Sequence, residues 1–173
     1  MVIWLMGLSG SGKTTLGRCI YSKLKETAPE TVFIDGDEIR EIFAHDKSAD
    51  AYSVEGRRVN NERIAQLCAW LDRQHINVVC CILNIFPERL IWNRETYSEY
   101  FDVCLSVPLD ILETRDIKNL YRPALNGECQ NVVGVDIPFN LPEDTDLLID
   151  NSQDNVDMDK LAIDVLRKAG VTI

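Results

Sequence analysis

The sequence has few of the residues that build metal centres or basic surfaces. Among its 173 residues, only His45 and His75 are histidines, which argues against a His-based metal site or a Ser-His triad. The 18 Lys plus Arg are outnumbered by 28 Asp plus Glu, and the net charge of −10 disfavours non-specific binding to nucleic acid or to anionic membranes. An anionic ligand would therefore need a local basic pocket.

Long apolar runs and paired cysteines are also missing. No apolar run approaches the roughly 20 residues that span a bilayer. The apolar stretch 1–6 lacks a basic flank and a cleavage site, so we expect a buried first strand and not a signal peptide. The six cysteines show no C-x-x-C pairing, and most of them lie in apolar runs, which predicts reduced core residues of a cytoplasmic protein.

What the sequence does contain is a regular alternation of strand and helix patterns. Apolar, β-branched runs predict five strands, at 2–6, 31–35, 77–83, 101–107 and 146–150. Helical patterns lie at 13–25, 37–44, 54–75, 89–100, 109–120 and 156–169. This alternation predicts an α/β fold with a five-stranded parallel sheet covered by helices on both faces. The length suits a single domain, 1–173.

A phosphate-binding loop follows the first predicted strand. Residues 7–14 fit the pattern G-x-x-x-x-G-K-[ST] between a strand and a helix, a context that favours this motif over a Gly/Ser-rich turn. We expect Lys13 to reach the β- and γ-phosphates of ATP, and the Thr14 hydroxyl to hold Mg²⁺. The residues expected to bind the nucleotide in this loop are Gly7, Ser9, Gly10, Ser11, Gly12, Lys13, Thr14 and Thr15.

Two aspartates, Asp35 and Asp37, stand at the end of the second predicted strand. Carboxylates at this end of a parallel strand face the ligand crevice of an open α/β sheet. Such an aspartate can orient an acceptor hydroxyl, accept its proton or bind Mg²⁺ through water. A tight turn with a helix N-cap is the alternative. The nearby phosphate-binding loop favours a functional role, and the lack of an N-K-x-D motif argues against a GTPase.

These motifs together resemble the adenylylsulfate (APS) kinase family. The matching segments, in family order, are 7–15, 35–40, 107–109, 115–121 and 134–136, and the resemblance runs from about residue 2 to residue 151. It implies a P-loop kinase with a mobile lid at about 115–134. It also implies transfer of the γ-phosphate of Mg-ATP to the ribose 3′-hydroxyl of APS, and a homodimer, since the family is often dimeric.

The resemblance also assigns roles to individual residues. Asp35 matches the proposed catalytic carboxylate, which would also help to hold Mg²⁺, and Lys13 and Lys118 would act beside it on the transferring phosphate. Lys118 and Arg115 fall in the lid that covers ATP. The acceptor-binding positions of the family fall on Asp37, Arg40, Arg57, Asn60 and Arg63. Without the resemblance, the arginines of 54–75 would be interpreted as a solvated helix face.

The sequence departs from the family pattern on the acceptor side. Val132 and Val133 stand where the family has Phe-Thr, and that Phe stacks on the adenine of APS. Base stacking on an aromatic ring is worth about 1–3 kcal/mol. The segment 84–89 replaces Ser-Pro-Tyr-Arg, so an acceptor-binding arginine is either lost or displaced to Arg89, and Val59-Asn60 replaces Glu-Asn. The ATP side is unchanged, so the pattern predicts a kinase but leaves its acceptor open.

Several acceptors and one non-catalytic alternative remain. ATP and Mg²⁺ are expected with any acceptor, which would be a small-molecule nucleotide: APS, or the cytidine nucleotide of the cytidine diphosphoramidate kinases of capsule biosynthesis, which resemble APS kinases. A non-nucleotide acceptor such as a sugar acid is a further alternative. A nucleotide-binding protein without catalysis is disfavoured because Lys13, Thr14, Asp35 and Lys118 are all present.

Overall fold

A five-stranded parallel sheet forms the centre of the protein. The computed structural model describes residues 1–116 and 118–172; Ile117, inside the predicted lid, and Ile173 lie outside the described residues. The strands are β1 (Val2–Gly7), β2 (Thr31–Asp35), β3 (Asn77–Ile82), β4 (Tyr100–Ser106) and β5 (Leu147–Asp150). All four pairings are parallel, in the order β2-β3-β1-β4-β5. The predicted fold class is confirmed.

Helices cover both faces of this sheet. They are α1 (Lys13–Thr27), α2 (Gly36–Ile42), α3 (Val54–Asp72), α4 (Pro87–Thr96), α5 (Leu109–Arg115), α6 (Tyr121–Leu125) and α7 (Met158–Lys168). Because side chains of a strand alternate between faces, Ile3 and Leu5 of β1 pack with α1 and α7, whereas Val2 and Trp4 pack with α3. All four side chains are fully buried, so β1 is the buried strand that its apolar sequence predicts, and it lies at the centre of the sheet.

A third apolar cluster lies beneath the predicted lid. It joins Leu8 of the phosphate-binding loop and Leu112 of α5 to Tyr121, Val132 and Val133 of the lid. The lid segment therefore contributes buried side chains to the core around the loop.

The largest differences from the predicted helix bounds occur in two helices. The helix predicted at 89–100 begins at Pro87, whose ring suits the first helical turn, and ends at Thr96, because Tyr100 begins β4. The helix predicted at 109–120 ends at Arg115. Asp116 leaves the helical conformation, and its carboxylate accepts the N–H groups of Leu120 (2.7 Å) and Tyr121 (2.9 Å) at the start of α6, a helix that the sequence pattern did not predict.

The cysteines match the expectation in part. All six carry free thiols, and Cys68, Cys80, Cys81 and Cys104 are buried. Cys19 and Cys129 are half-buried and pack at the margins of two apolar clusters, and Cys129 also lines the cavity described below. No helix within residues 1–116 and 118–172 is long and apolar enough to cross a membrane.

Candidate active site

A cavity of about 460 Å³ lies where the predicted site residues converge. Its walls come from the phosphate-binding loop, the end of β2, helix α3 and the lid. The predicted residues that line it are Ser9, Gly10, Gly12, Lys13, Thr14, Thr15, Asp35, Asp37, Arg40, Arg57, Asn60, Lys118, Val132 and Val133. Residues more than 100 positions apart in the chain therefore meet around one space. Of the other two loop residues, Gly7 ends β1 and Ser11 is fully buried, and neither lines the cavity.

The phosphate-binding loop turns through two glycines into α1. Gly10 (φ 77°) and Gly12 (φ 94°) adopt left-handed conformations that an L side chain would strain. Lys13 is the first residue of α1, and its Nζ donates a hydrogen bond to the Leu8 carbonyl at 2.8 Å. Burial lowers the pKa of the Lys13 ammonium, while the carboxylates of Asp37 and Asp35 partly oppose this shift. The ammonium thus lies in the loop, next to two acidic groups.

Asp35 caps α2 and also faces the phosphate-binding loop. Its Oδ1 accepts the N–H of Asp37 at 2.9 Å and caps α2, as in an ordinary helix start. Its Oδ2 accepts a hydrogen bond from the Thr14 hydroxyl at 2.8 Å. One carboxylate oxygen and one hydroxyl oxygen therefore lie side by side at the loop, and oxygen donors of this kind suit Mg²⁺ that keeps several waters.

Lys118 of the lid bonds to Asp37 at the entrance of α2. Burial disfavours the charged form of each group. For Asp37, the hydrogen bond and charge of Lys118 outweigh burial and lower the carboxyl pKa, and for Lys118 the carboxylate raises the ammonium pKa. Both groups are therefore charged at neutral pH, and the pair joins the lid to the end of β2.

Two arginines and a tyrosine form the cavity wall on the α3 side. Arg40 is 5% exposed and donates to the Ala51 carbonyl, and its guanidinium lies 4.8 Å from the centre of the Tyr52 ring. The Arg57 guanidinium lies 5.7 Å from the same ring and donates to the Asn131 carbonyl at 2.9 Å. These contacts place two cations and one aromatic ring on the same wall.

The wall formed by Val132 and Val133 is buried and held by hydrogen bonds. Both valines are under 10% exposed. The carboxylate of Asp136 accepts the N–H groups of Asn131 and Val132, each at 2.6 Å. Burial opposes ionisation of Asp136, but these backbone donors and the Arg57 charge outweigh it and hold its pKa below the usual range.

Asn60 lines the same cavity, and only one of its two polar side-chain atoms forms a hydrogen bond with the described residues. Its Nδ2 donates to the Gly36 carbonyl at 3.1 Å. Its Oδ1 is buried and has no hydrogen-bond partner among residues 1–116 and 118–172. The hydroxyl group of a substrate that receives phosphate could donate a hydrogen bond to this oxygen.

Three predicted arginines do not line the cavity. Arg63 lies six residues after Arg57 on α3, so its side chain points about 120° around the helix axis from that of Arg57. Its guanidinium lies 5.2 Å from the centre of the Phe43 ring. Arg89, expected to replace an acceptor-binding arginine, pairs with Glu62. Arg115 donates to backbone carbonyls of the loop after β5. The positions of these residues along the chain did not reveal the direction of their side chains.

Other lining residues were not among the predicted site residues. Tyr52, which lies just before α3, is 47% exposed and lines the cavity. Tyr121, which lies in the matching segment 115–121, donates from its hydroxyl to the Ser9 carbonyl at 2.7 Å and so fastens the lid to the loop. Gln130 lines the cavity from the lid, and no local pattern in the sequence pointed to it.

Comparison with known proteins shows the family of this chain. The family model described as adenylylsulphate kinase matches residues 1–150. The cytidine diphosphoramidate kinase of Campylobacter jejuni is 41% identical over 151 residues, which cover 87% of this chain and 86% of that protein. A probable adenylyl-sulfate kinase of Bacillus subtilis is 34% identical over 154 residues, which cover 88% and 77%.

A solved structure shares the whole fold. The APS kinase CysC of Mycobacterium tuberculosis, in complex with AMPPNP and APS, superposes with a TM-score of 0.84 at 26% identity, covering 98% of this chain and 96% of that one. The protein is a kinase and belongs to the adenylylsulphate kinase family.

Proposed function

We propose that the protein transfers the γ-phosphate of ATP to the ribose 3′-hydroxyl of cytidine diphosphoramidate. The observation that carries the choice of acceptor is Val132, an aliphatic residue in the cavity wall where the APS kinase pattern has Phe. The relative that is 41% identical is named cytidine diphosphoramidate kinase, whereas the probable adenylyl-sulfate kinase is 34% identical. Both findings favour the cytidine nucleotide.

The donor half of the site suits a nucleoside triphosphate. The N–H groups of the loop and the start of α1 attract phosphate oxygens, and Lys13 adds a full positive charge. The oxygens of Thr14 and Asp35 would hold Mg²⁺, which neutralises charge on the phosphates when it is bound. To contact phosphates, Lys13 must exchange the Leu8 carbonyl for a phosphate oxygen.

The reacting groups have partners suited to phosphoryl transfer. Asp35 is placed to orient the acceptor hydroxyl and to accept its proton, while Lys13 and Lys118 stabilise charge on the transferring phosphoryl group. Asp37 holds Lys118 near Asp35. This arrangement works by positioning and electrostatics, which supply most of the catalysis in such reactions.

The acceptor half offers one aromatic ring and one aliphatic wall. Tyr52 can stack on a base. Val132 leaves open the space that the Phe ring of the APS kinase pattern would fill. Arg40 and Arg57 provide positive charge for the phosphoryl groups of a nucleotide. Gln130 adds an amide that can donate to and accept from a base edge. A pyrimidine nucleotide, with its smaller base, fits this combination better than APS, whose adenine stacks on the aromatic ring that is missing at Val132.

Exchange of Val132 for phenylalanine tests the acceptor. We expect the unsubstituted protein to have a higher kcat/KM for cytidine diphosphoramidate than for APS. Loss of one stacking contact of about 1–3 kcal/mol corresponds to roughly 5- to 150-fold weaker binding of APS. Val132→Phe should raise kcat/KM for APS and lower it for the cytidine nucleotide, because the ring fills space shaped for another base. The measurement is kcat/KM for both acceptors on both proteins.

Efficient turnover of APS by the unsubstituted protein, unimproved by the added ring, would contradict the proposed acceptor and favour an APS kinase. If neither APS nor cytidine diphosphoramidate supports ATP consumption, the result would instead favour a non-nucleotide acceptor. Val54→Phe is a matched control, since it adds a ring at an exposed position of α3 that does not line the cavity.

A further inference from the structure

The end of β5 lies directly against the phosphate-binding loop. Asn151 follows the last residue of β5, and its N–H continues the sheet by donating to the Ser106 carbonyl at 3.0 Å. Its side chain is 4% exposed. A Cβ added at Gly12 would lie 2.7 Å from Asn151 Nδ2, so the side chain leaves room only for a glycine there. Asn151 is thus packed beneath the loop and does not line the cavity.

Asn151 makes one hydrogen bond that fixes a peptide group of the loop. Its Nδ2 donates to the Ser11 carbonyl at 2.8 Å, across 140 residues of sequence. In a trans peptide, the carbonyl and the following N–H point in opposite directions. Because the Ser11 carbonyl points to Asn151, the Gly12 N–H points the other way, and Gly12 lines the cavity.

This orientation matters because phosphate binding depends on the direction of backbone dipoles. N–H groups that point at phosphate oxygens attract them, whereas a carbonyl oxygen in the same place would repel them. Gly10 and Gly12, with left-handed φ values of 77° and 94°, carry no side chains that would restrict the backbone around the Ser11–Gly12 peptide. A hydrogen bond from outside the loop supplies the missing constraint.

Arg115 holds Asn151 in turn. Its guanidinium donates to the carbonyl of Asn151 at 2.8 Å and to the carbonyls of Ser152 and Gln153 at 3.1 Å each. These bonds fasten the backbone after β5 to the end of α5. Arg115 thus supports the loop through Asn151 from a position outside the cavity.

We propose that Asn151 is a positioning residue that holds the Ser11–Gly12 peptide of the phosphate-binding loop in the orientation that binds the phosphates of ATP. The proposal rests on the proposed function only in taking ATP as the donor, and it is independent of the acceptor.

The test compares Asn151→Ala and Asn151→Asp in their binding of the ATP analogue AMPPNP with Mg²⁺, measured by isothermal titration calorimetry. Loss of one hydrogen bond that orients the peptide should weaken AMPPNP about 5- to 30-fold in Asn151→Ala. Asn151→Asp keeps the shape of the side chain but turns an oxygen toward the Ser11 carbonyl, so the loss should be at least as large. In steady-state assays, KM for ATP should rise while KM for the acceptor stays within twofold.

Ser152→Ala is the matched control, because it lies on the same loop and keeps the carbonyl that accepts from Arg115. Thermal melts check that each variant is folded, and Asn151→Asp is the variant that disturbs packing least. AMPPNP affinities within twofold of the unsubstituted protein in both variants, with lowered melting temperatures, would show a purely structural role and overturn the proposal. A protein that binds AMPPNP but does not phosphorylate cytidine diphosphoramidate would contradict the proposed acceptor alone.

Discussion

The charged side chains of the site already have partners within the protein. Lys13 donates to the Leu8 carbonyl, Thr14 donates to Asp35, and Lys118 bonds to Asp37. Each of these contacts satisfies a group that would otherwise be partly buried without a hydrogen bond. Binding of a nucleotide must therefore replace protein partners with phosphate oxygens, and the effect of each substitution depends on which exchange it prevents.

Lys13→Ala should abolish phosphoryl transfer and leave the fold intact. The ammonium lies in the loop and contributes charge to the transition state, so we expect a loss of about 10²- to 10³-fold or more in kcat. Steady-state kinetics and a thermal melt measure the two effects. Lys25→Ala, at the exposed end of the same helix, is the control. Turnover close to that of the unsubstituted protein would refute the assignment of the loop.

Asp35→Asn should lower kcat far more than it weakens the binding of ATP. Asn keeps the cap on α2 and the shape of the side chain but cannot accept the proton of the acceptor, and loss of such a base costs about 10²- to 10⁴-fold. Asp37→Asn should chiefly release Lys118. The comparison is kcat and the Kd for ATP of the two variants. A crippled Asp37→Asn beside a nearly unaffected Asp35→Asn would mean that their roles are reversed.

Single side-chain contacts join the lid to the elements around it. Tyr121 joins it to the phosphate-binding loop, Lys118 joins it to α2, and Arg57 joins α3 to the Asn131 carbonyl. Just after the lid, Asp136 fixes the turn that carries Val132. Because two of these contacts involve a carboxylate, the anchoring of the lid depends on pH.

Acid should weaken this anchoring through Asp136. Its pKa lies below the ordinary value of 3.8 in the folded chain, so its hydrogen bonds stabilise the protein above the unfolded carboxyl pKa and are lost as pH falls through the lower folded value. Asp136→Asn should therefore cost about 1 kcal/mol of unfolding free energy at pH 7, a figure reduced for its exposure to solvent, and less below pH 4. Urea denaturation of both proteins between pH 3 and pH 7 measures this difference. A difference that stays constant across this range would exclude the ionised carboxylate as the cause.

At the scale of the whole molecule, an ion-pair network secures the edge of the sheet. Arg94 of α4 bonds to Asp102 of β4 at 2.8 Å and to Asp146, just before β5, at 3.0 Å. The Asp102 side chain is 1% exposed, and it also accepts the Thr145 hydroxyl at 2.7 Å. The network joins β5 to the rest of the sheet, and Asn151 at the end of β5 supports the phosphate-binding loop.

Arg94→Met should lower the free energy of unfolding by about 1–3 kcal/mol, because it leaves the buried Asp102 carboxylate without its cation. Kinase activity at 25 °C should change little, since the network is remote from the cavity. Urea denaturation measures the loss, with Arg167→Met on the exposed side of α7 as the control. Equal stability of the two variants would show that the Arg94 pairs contribute nothing measurable.

The sequence by itself determined the features that depend on neighbouring residues. The glycine spacing of 7–14 requires a tight loop before a helix, and the unbroken apolar run of β3 requires a strand buried on both faces. The departure at Val132 was also visible, since it concerns the identity of one residue within a motif. These local patterns predicted the sheet, the loop and the acceptor side on which this chain differs.

Only the tertiary structure decided which side chains meet. Arg63 and Arg57 lie on one helix, yet only Arg57 reaches the cavity, and the direction of each depends on what packs against α3. Asn151 and Ser11 are 140 residues apart, and no local sequence pattern around either residue predicts their hydrogen bond. Such contacts follow from the order in which the strands pair in space, because that order, and not the spacing along the chain, brings the end of β5 against the loop after β1.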